Sequence, residues 1–291
     1  MKILIIFNPK AGRHYHHDFK EWFWAQCENH LPDVEFQWLE TKPNLPEQLG
    51  QINFFDFHRV FIIGGDGTIR EVAEYLYKNN LNIPFAIIPA GSSNMLASSL
   101  NLPLGVKSAI RVACLGAPNN VDVCLLNGEH IFLLCVSLGF WSNLHHKTSQ
   151  EHKNKFGFFA YLWTLIKERK VENKLFEFIV DGTSHKITGN TILIANTLGI
   201  FGISPRSRLD FSDGLLEILI FQNTTFFGLT RLIFSIILFH NPLSVFRIKG
   251  REIILHSVPG NFAAQIDGEP IELGDKVEAE VVENRKMKII F

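Results

Sequence analysis

Apolar residues fall in four short, nearly unbroken runs along the first part of the chain: "KILIIF" (2–7), "VEFQWL" (34–39), "RVFII" (59–63) and "PFAIIP" (84–89). Segments with helical spacing separate them through about residue 115. Strands covered by helices on both faces need such runs, so this half reads as a parallel sheet flanked by helices. From "VDVCLLN" (121–127) the pattern changes to short runs bounded by Gly, Asn or Asp: "HIFLLCVSLG", "LFEFIVDG", "NTILIANT", "LLEILIF", "REIILHSV" and "NFAAQIDGE". These predict a β-sandwich with helices inserted at about 156–169 and 225–239. The boundary is expected near Asn119–Asn120. That gives an α/β domain over 1–120, which the C-terminal segment 278–291 is a candidate to complete, and a β-rich domain over 121–277.

With 291 residues and 46% hydrophobic content, the chain can fill one large core or two smaller ones. A formal net charge of −1 supplies no general attraction for nucleic acid. Cys27, Cys114, Cys124 and Cys135 form no C-x-x-C pair, and those that can be placed lie in apolar segments. Buried reduced thiols in a reducing cytoplasm are therefore expected. The start "MKILIIF" is too short an apolar run for a signal peptide and reads as a first strand. The longest apolar stretch, "FFGLTRLIFSIILF" (226–239), is too short to span a bilayer and carries Arg231, so no transmembrane segment is expected.

Chemistry enters with "FIIGGDGTIREVAEYL" (61–76), where a strand leaves through Gly64, Gly65, Asp66 and Gly67 into a helix. In an open parallel sheet, ligands bind beyond the carboxyl ends of the strands, where glycines let backbone N–H groups approach a phosphate. Two further loops leave strands in the same half, "NPKAG" (8–12) and "PAGSSN" (89–94). Three such exits on one edge of a Rossmann-like sheet point to one shared nucleotide site, although each alone reads more readily as an ordinary βα turn. Thr68 and Glu71 also have the T-x-x-E spacing of a capping box, which leaves Glu71 open between a cap and a nucleotide contact.

Together, "NPKAG", "GGDGTIREV" and "IPAGSSNMLA" resemble the three signature segments of the diacylglycerol kinase catalytic family, which includes the sphingosine and ceramide kinases and the bacterial soluble lipid kinases. "SPRSRLDFSDGLLEILI" (204–220) and "QIDGEP" (265–270) resemble that family's metal loop and carboxylate turn. The resemblance implies an ATP- and Mg²⁺-dependent lipid kinase. It implies that Asn8, Pro9, Lys10, Ala11, Gly12, Thr41, Gly64, Gly65, Asp66, Gly67, Thr68, Glu71 and Ser92 hold ATP, with Asp66 close to the phosphates and their magnesium. Thr41, in "LETKPN", reads equally as a helix cap or a polar loop residue. Lys10 and Arg13 are candidates to add positive charge near the phosphates. Many diacylglycerol kinases carry Asn-Asp after the third loop. Here Asn94 is followed by Met95, a form closer to the sphingosine kinases, and the acceptor stays open among diacylglycerol, a sphingoid base and related lipids.

Phosphoryl transfer needs positioning, a divalent cation and a carboxylate to accept the alcohol proton. Asp210, Asp213 and the carbonyl of Leu215 lie at alternating positions of one loop, a spacing of oxygen donors that suits a hard cation. The resemblance makes this a Mg²⁺ site. The plain reading is an Asp-Gly turn between strands. In "DGEP" the resemblance assigns Glu269 as general base and Asp267 as a metal neighbour, both facing the nucleotide across an interdomain cleft; the plain reading is again a turn. His14, His16 and His17, and the adjacent His145 and His146, have neither H-E-x-x-H spacing nor a G-x-S-x-G partner, so solvated imidazoles are expected.

A lipid substrate at a membrane surface calls for an apolar slot and a docking element. "KNKFGFFAYLWTLIKERK" (153–170) has aromatics flanked by basic residues, as interfacial helices do, and 226–239 is apolar on nearly all faces, as buried core helices are. Two rival readings stay open: a soluble kinase of NAD kinase type, which shares the GGDGT logic, and a catalytically silent lipid- or nucleotide-binding module. Retention of Asp66, Asp213 and Glu269 together speaks against the silent module.

Overall fold

The computed structural model describes residues 1–12, 18–139, 173–196, 211–221, 245–256, 264–274 and 276–291. Arg13, the histidines at 14, 16, 17, 145 and 146, Asp210, Arg231 and the helices expected at about 156–169 and 225–239 lie outside them. The chain divides into two compact units, Met1–Val121 with Arg285–Phe291, and Asp122–Asn284.

In the first unit the elements follow as β1 (Lys2–Phe7), α1 (Phe19–Glu28), β2 (Glu35–Glu40), α2 (Leu45–Gly50), β3 (Arg59–Gly64), α3 (Asp66–Lys78), β4 (Phe85–Pro89), α4 (Met95–Ser99), α5 (Val106–Leu115) and β5 (Pro118–Leu126), the last of which carries the chain onward. The four strands β1 to β4 pair in parallel in the order β2-β1-β3-β4. The apolar runs explain why. Ile3 to Ile6, Val60 to Ile63 and Phe85 to Ile88 are all buried, as strands with two covered faces must be. Helix α3 buries Ile69, Val72, Ala73 and Leu76, one stripe at the helical period. Helix α5 buries Ala109, Ile110, Ala113 and Cys114, and its carboxyl end is closed by Arg59, whose guanidinium donates to the carbonyls of Ala113 (3.1 Å) and Cys114 (3.0 Å). Because β1 lies between β2 and β3, the loops after β1 and β3 flank the point where strand order reverses.

The second unit is β-rich: β6 (His130–Phe132), β7 (Cys135–Gly139), β8 (Lys174–Val180), β9 (Thr183–Gly189), β10 (Thr191–Ala195), β11 (Leu216–Phe221), β12 (Val245–Gly250), β13 (Glu252–Leu255), β14 (Ala264–Ile266), β15 (Glu269–Ile271) and β16 (Val277–Ile290). One sheet runs β12-β11-β10-β7-β14-β15, antiparallel throughout. A second layer is built by β8, β9, β13 and the first part of β16. Phe176, Phe178, Val180, Ile253, Leu255, Val277 and Ala279 of the one interlock with Val136, Leu138, Ile192, Ile194, Leu216, Ile218 and Ile220 of the other, so this unit is a sandwich. Two of its hairpins turn on paired left-handed residues, Asp181-Gly182 and Asp267-Gly268, as two-residue turns between twisted strands require, and the three-residue turn between β5 and β6 holds Asn127 and Gly128 at positive φ as well. The last residues of β16 return to the first unit, where Ile289 and Ile290 pair in parallel with Phe85 and Ala86.

All four cysteines are free and buried. Among the described residues, no helix is long and apolar enough to cross a membrane.

Candidate functional site

The three glycine loops meet in the first unit. The N–H of Asn8 bonds the carbonyl of Ile63 (2.9 Å), and that of Ala90 bonds the carbonyl of Gly64 (2.9 Å), so each loop begins where its strand is still paired. Asn8 then ties the first loop to the second. Its Nδ2 donates to Thr68 Oγ1 (2.8 Å), while its Oδ1 accepts the N–H of Lys10 (2.9 Å). Gly12 faces the third loop closely enough that a Cβ there would lie 3.0 Å from Ser92 Oγ. Thr41, at the end of β2, donates its N–H to the carbonyl of Phe7 (2.8 Å), which brings it to the same strand edge. It caps no helix, because the N-cap of α2 is Asn44.

The glycines explain their own presence. A Cβ on Gly91 would stand 2.6 Å from Gly65 Cα, and one on Gly64 would stand 2.8 Å from Thr68 Cβ. Gly65 is in extended backbone open to any residue, so it is glycine for close approach and not for an unusual φ. The second and third loops therefore press backbone against backbone. The expected capping box at Thr68 is not formed. Helix α3 begins at Asp66 with Gly65 as its N-cap, which puts Thr68 inside the first turn, buried and bonded to Asn8 instead. Glu71 is exposed on the same helix.

Asp66 completes the junction. Its two carboxylate oxygens accept the N–H groups of Met95 and Leu96, each at 3.0 Å, and so cap the short helix α4. Asn94 sits there at positive φ, and its side chain bonds Gly91 in both directions (2.8 and 2.7 Å). Burial raises the Asp66 carboxyl above its ordinary pKa, against the pull of those N–H donors.

The second unit carries the other candidates. Asp213 is exposed; its Oδ1 accepts the N–H of Leu215 (3.1 Å) and its Oδ2 accepts the ammonium of Lys249 (3.0 Å). Oxygen donors of this kind suit a hard divalent cation, and Lys249 stands on the same carboxylate as a competing positive charge. Among the described residues no three acidic, histidine or cysteine side chains gather as a ready-made metal cluster. Asp267 and Glu269 differ sharply. Asp267 is buried at positive φ and accepts three backbone N–H groups, from Leu133 (2.8 Å), Leu134 (2.9 Å) and Cys135 (2.9 Å). Glu269, two residues on, is exposed.

Two residues that sequence reasoning passed over stand behind these loops. Asp122, 1% exposed, accepts the N–H of Gly214 (2.7 Å) next to Asp213. Asn196, also buried, donates to the carbonyls of Asp122 and Leu133, both at 3.1 Å. The signal was present in "VDVCLL" and "LIANT": a charged or amide side chain inside an apolar strand run must find a partner.

Residues 2–126 match the family model described as the diacylglycerol kinase catalytic domain. The chain is 32% identical over 171 residues to an uncharacterized protein of Synechocystis sp., a match covering 57% of this chain and 39% of that protein. It is 30% identical over 167 residues to a Staphylococcus carnosus protein named "Putative lipid kinase", covering 56% of this chain and 54% of that one. The chain thus spans about half or less of the length of these relatives. A solved structure from Bacillus anthracis str. Sterne, described as "a putative diacylglycerol kinase", superimposes with a TM-score of 0.80 at 24% identity, covering 100% of this chain and 95% of that one. This likeness shows the fold.

Proposed function

We propose that the protein is an ATP- and Mg²⁺-dependent lipid kinase that transfers the γ-phosphoryl group to a hydroxyl of a lipid, working in the cytoplasm and peripherally at a membrane. The observation that carries this reading is the meeting of the three glycine loops at the strand-order reversal of a sheet whose sequence matches the diacylglycerol kinase catalytic domain model. Partly exposed backbone at Gly12 and at Gly65–Gly67, with the hydroxyls of Thr41 and Ser92 beside it, would supply donors for the phosphates of ATP. Asp213, the Leu215 carbonyl and Asp210 would hold Mg²⁺, which when bound neutralises charge on the transferring phosphoryl group. Glu269 takes the proton from the lipid hydroxyl; its exposure leaves it open to a substrate. Asp267, bonded by three N–H groups, fixes the turn that presents it.

Replacing Glu269 with glutamine tests the base assignment, because the amide keeps size yet takes no proton. General-base loss lowers kcat by about 10²–10⁴-fold, with ATP affinity and melting temperature near parental values. A kcat within a few-fold of the parent would move the base elsewhere.

A further inference from the structure

Within the second unit, the loop bearing Asp213 and the turn bearing Asp267 and Glu269 are distant in sequence, yet one chain of hydrogen bonds joins them. It starts at Gly214, whose N–H is held by the Asp122 carboxylate (2.7 Å), while the Asp122 N–H bonds the Phe211 carbonyl (2.7 Å), so Asp122 grips the loop at two points. It continues through Asn196, whose Nδ2 is shared between the carbonyls of Asp122 and Leu133, both at 3.1 Å, and whose N–H bonds the carbonyl of Leu134 (2.8 Å). It ends at Asp267, which takes the N–H groups of Leu133, Leu134 and Cys135. Leu133 and Leu134 form the bend between β6 and β7, so their amides face one carboxylate while their carbonyls face Asn196.

We propose that Asp122 and Asn196 are positioning residues that lock the Asp213 loop to the Asp267 turn, so that the cation-binding and proton-accepting oxygens keep a fixed spacing; the catalytic half of this inference rests on the lipid kinase reading above. Three features support it. Asp122 is 1% exposed and Asn196 4%, so neither serves solvent. Among the described residues the Asn196 Oδ1 has no partner, so the amide is oriented by its two donor bonds. Asn196 and Asp267 also grip the same bend, Asn196 through the carbonyls of Leu133 and Leu134 and Asp267 through their N–H groups.

The test compares Asn196→Ala, Asp122→Ala and the conservative Asp122→Asn, which keeps an acceptor for Gly214. Hydrogen exchange read by mass spectrometry needs no activity. Asn196→Ala should speed exchange about tenfold in peptides covering both Gly214 and Leu133–Cys135, the loss expected for a net hydrogen bond, while peptides of β8 and β13 stay at parental rates. Mn²⁺ affinity measured by calorimetry should fall about tenfold or more in Asp122→Ala and recover in Asp122→Asn, as for other residues that orient metal ligands. Acceleration at Leu133–Cys135 alone, or across the whole unit, would overturn the coupling. If Asp122→Ala does not fold, Asn196→Ala and Asp122→Asn still decide it. A parent protein that neither binds Mn²⁺ nor transfers phosphate would remove the lipid kinase reading, and the exchange pattern would still decide whether the loop and the turn are locked together.

Discussion

Gly91→Ala probes the meeting of the loops most sharply. An alanine Cβ at this position would sit 2.6 Å from Gly65 Cα, roughly 1 Å inside the ~3.5–4.0 Å at which carbon atoms attract. It would also lie 3.1 Å from Asn94 Oδ1. The first neighbour is backbone, with no flexible end to swing aside, so the second and third loops must part. Overpacking of this kind costs about 1–3 kcal/mol. Parting also strains the paired Gly91–Asn94 bonds, and losing one of them adds about 1 kcal/mol. The expected loss is thus about 2–4 kcal/mol, read as a melting temperature lower by about 3–7 °C for a protein of this size. Gly105→Ala is the control: nothing lies within 4 Å of its added Cβ, and the change should stay within about 0.5 kcal/mol. Differential scanning calorimetry gives the stabilities, and isothermal titration with ATP should show weaker binding for Gly91→Ala only. Equal melting temperatures and equal ATP affinities in the two variants would refute the loop-on-loop packing and its role.

Asp66 gives a pH prediction. Its carboxyl is held above the ordinary value of about 3.9 by burial, so its contribution to stability is complete below that pH and is lost as pH rises through the raised value. The unfolding free energy of the parent minus that of Asp66→Asn should therefore decline from about pH 4 upward and then level; a flat or rising difference in urea titrations would contradict it. Arg59→Met leaves the carbonyls of Ala113 and Cys114 without their donor and should cost about 1–3 kcal/mol, with a shift in the urea midpoint and no change in slope. Arg247→Met strands the buried Glu217 carboxylate without its guanidinium partner; because Arg247 is half exposed, the cost should be only about 1–2 kcal/mol, smaller at high salt.

How far the sequence revealed this fold follows from where apolar residues were forced to be. Strands β1, β3 and β4 are buried on both faces, so each wrote an unbroken run that reads as a strand directly. Strand β9, "TSHKITG", left no such run, because among the described residues it is an edge paired with β8 alone and alternates exposed polar residues with a partly buried histidine and isoleucine. The helix start at Asp66 was misread for a related reason. Its N-cap is a glycine, which leaves no side-chain signature, while Thr68 and Glu71 offered a capping pattern three residues late. The glycine loops were legible as a group, but their cause was only half visible. A tight exit from each strand can be read from the glycines themselves, whereas the close approach of Gly65 to Gly91 joins residues far apart in the chain. Asp122 and Asn196 were missed because each stands alone in its strand, and their hydrogen bonds run to backbone of segments that only folding brings near.

The central claim, transfer of phosphate from ATP to a lipid hydroxyl, is tested most directly by following the label. The protein would be incubated with γ-labelled ATP, Mg²⁺ and vesicles containing diacylglycerol, sphingosine, ceramide or phosphatidylglycerol, with NAD⁺ as a soluble acceptor in a parallel reaction, and the products separated by organic extraction. The account predicts label in an organic-soluble phospholipid for at least one acceptor, dependent on Mg²⁺ and depleted about 10²–10⁴-fold by Glu269→Gln. Label appearing on NAD⁺ with none in any lipid would contradict it.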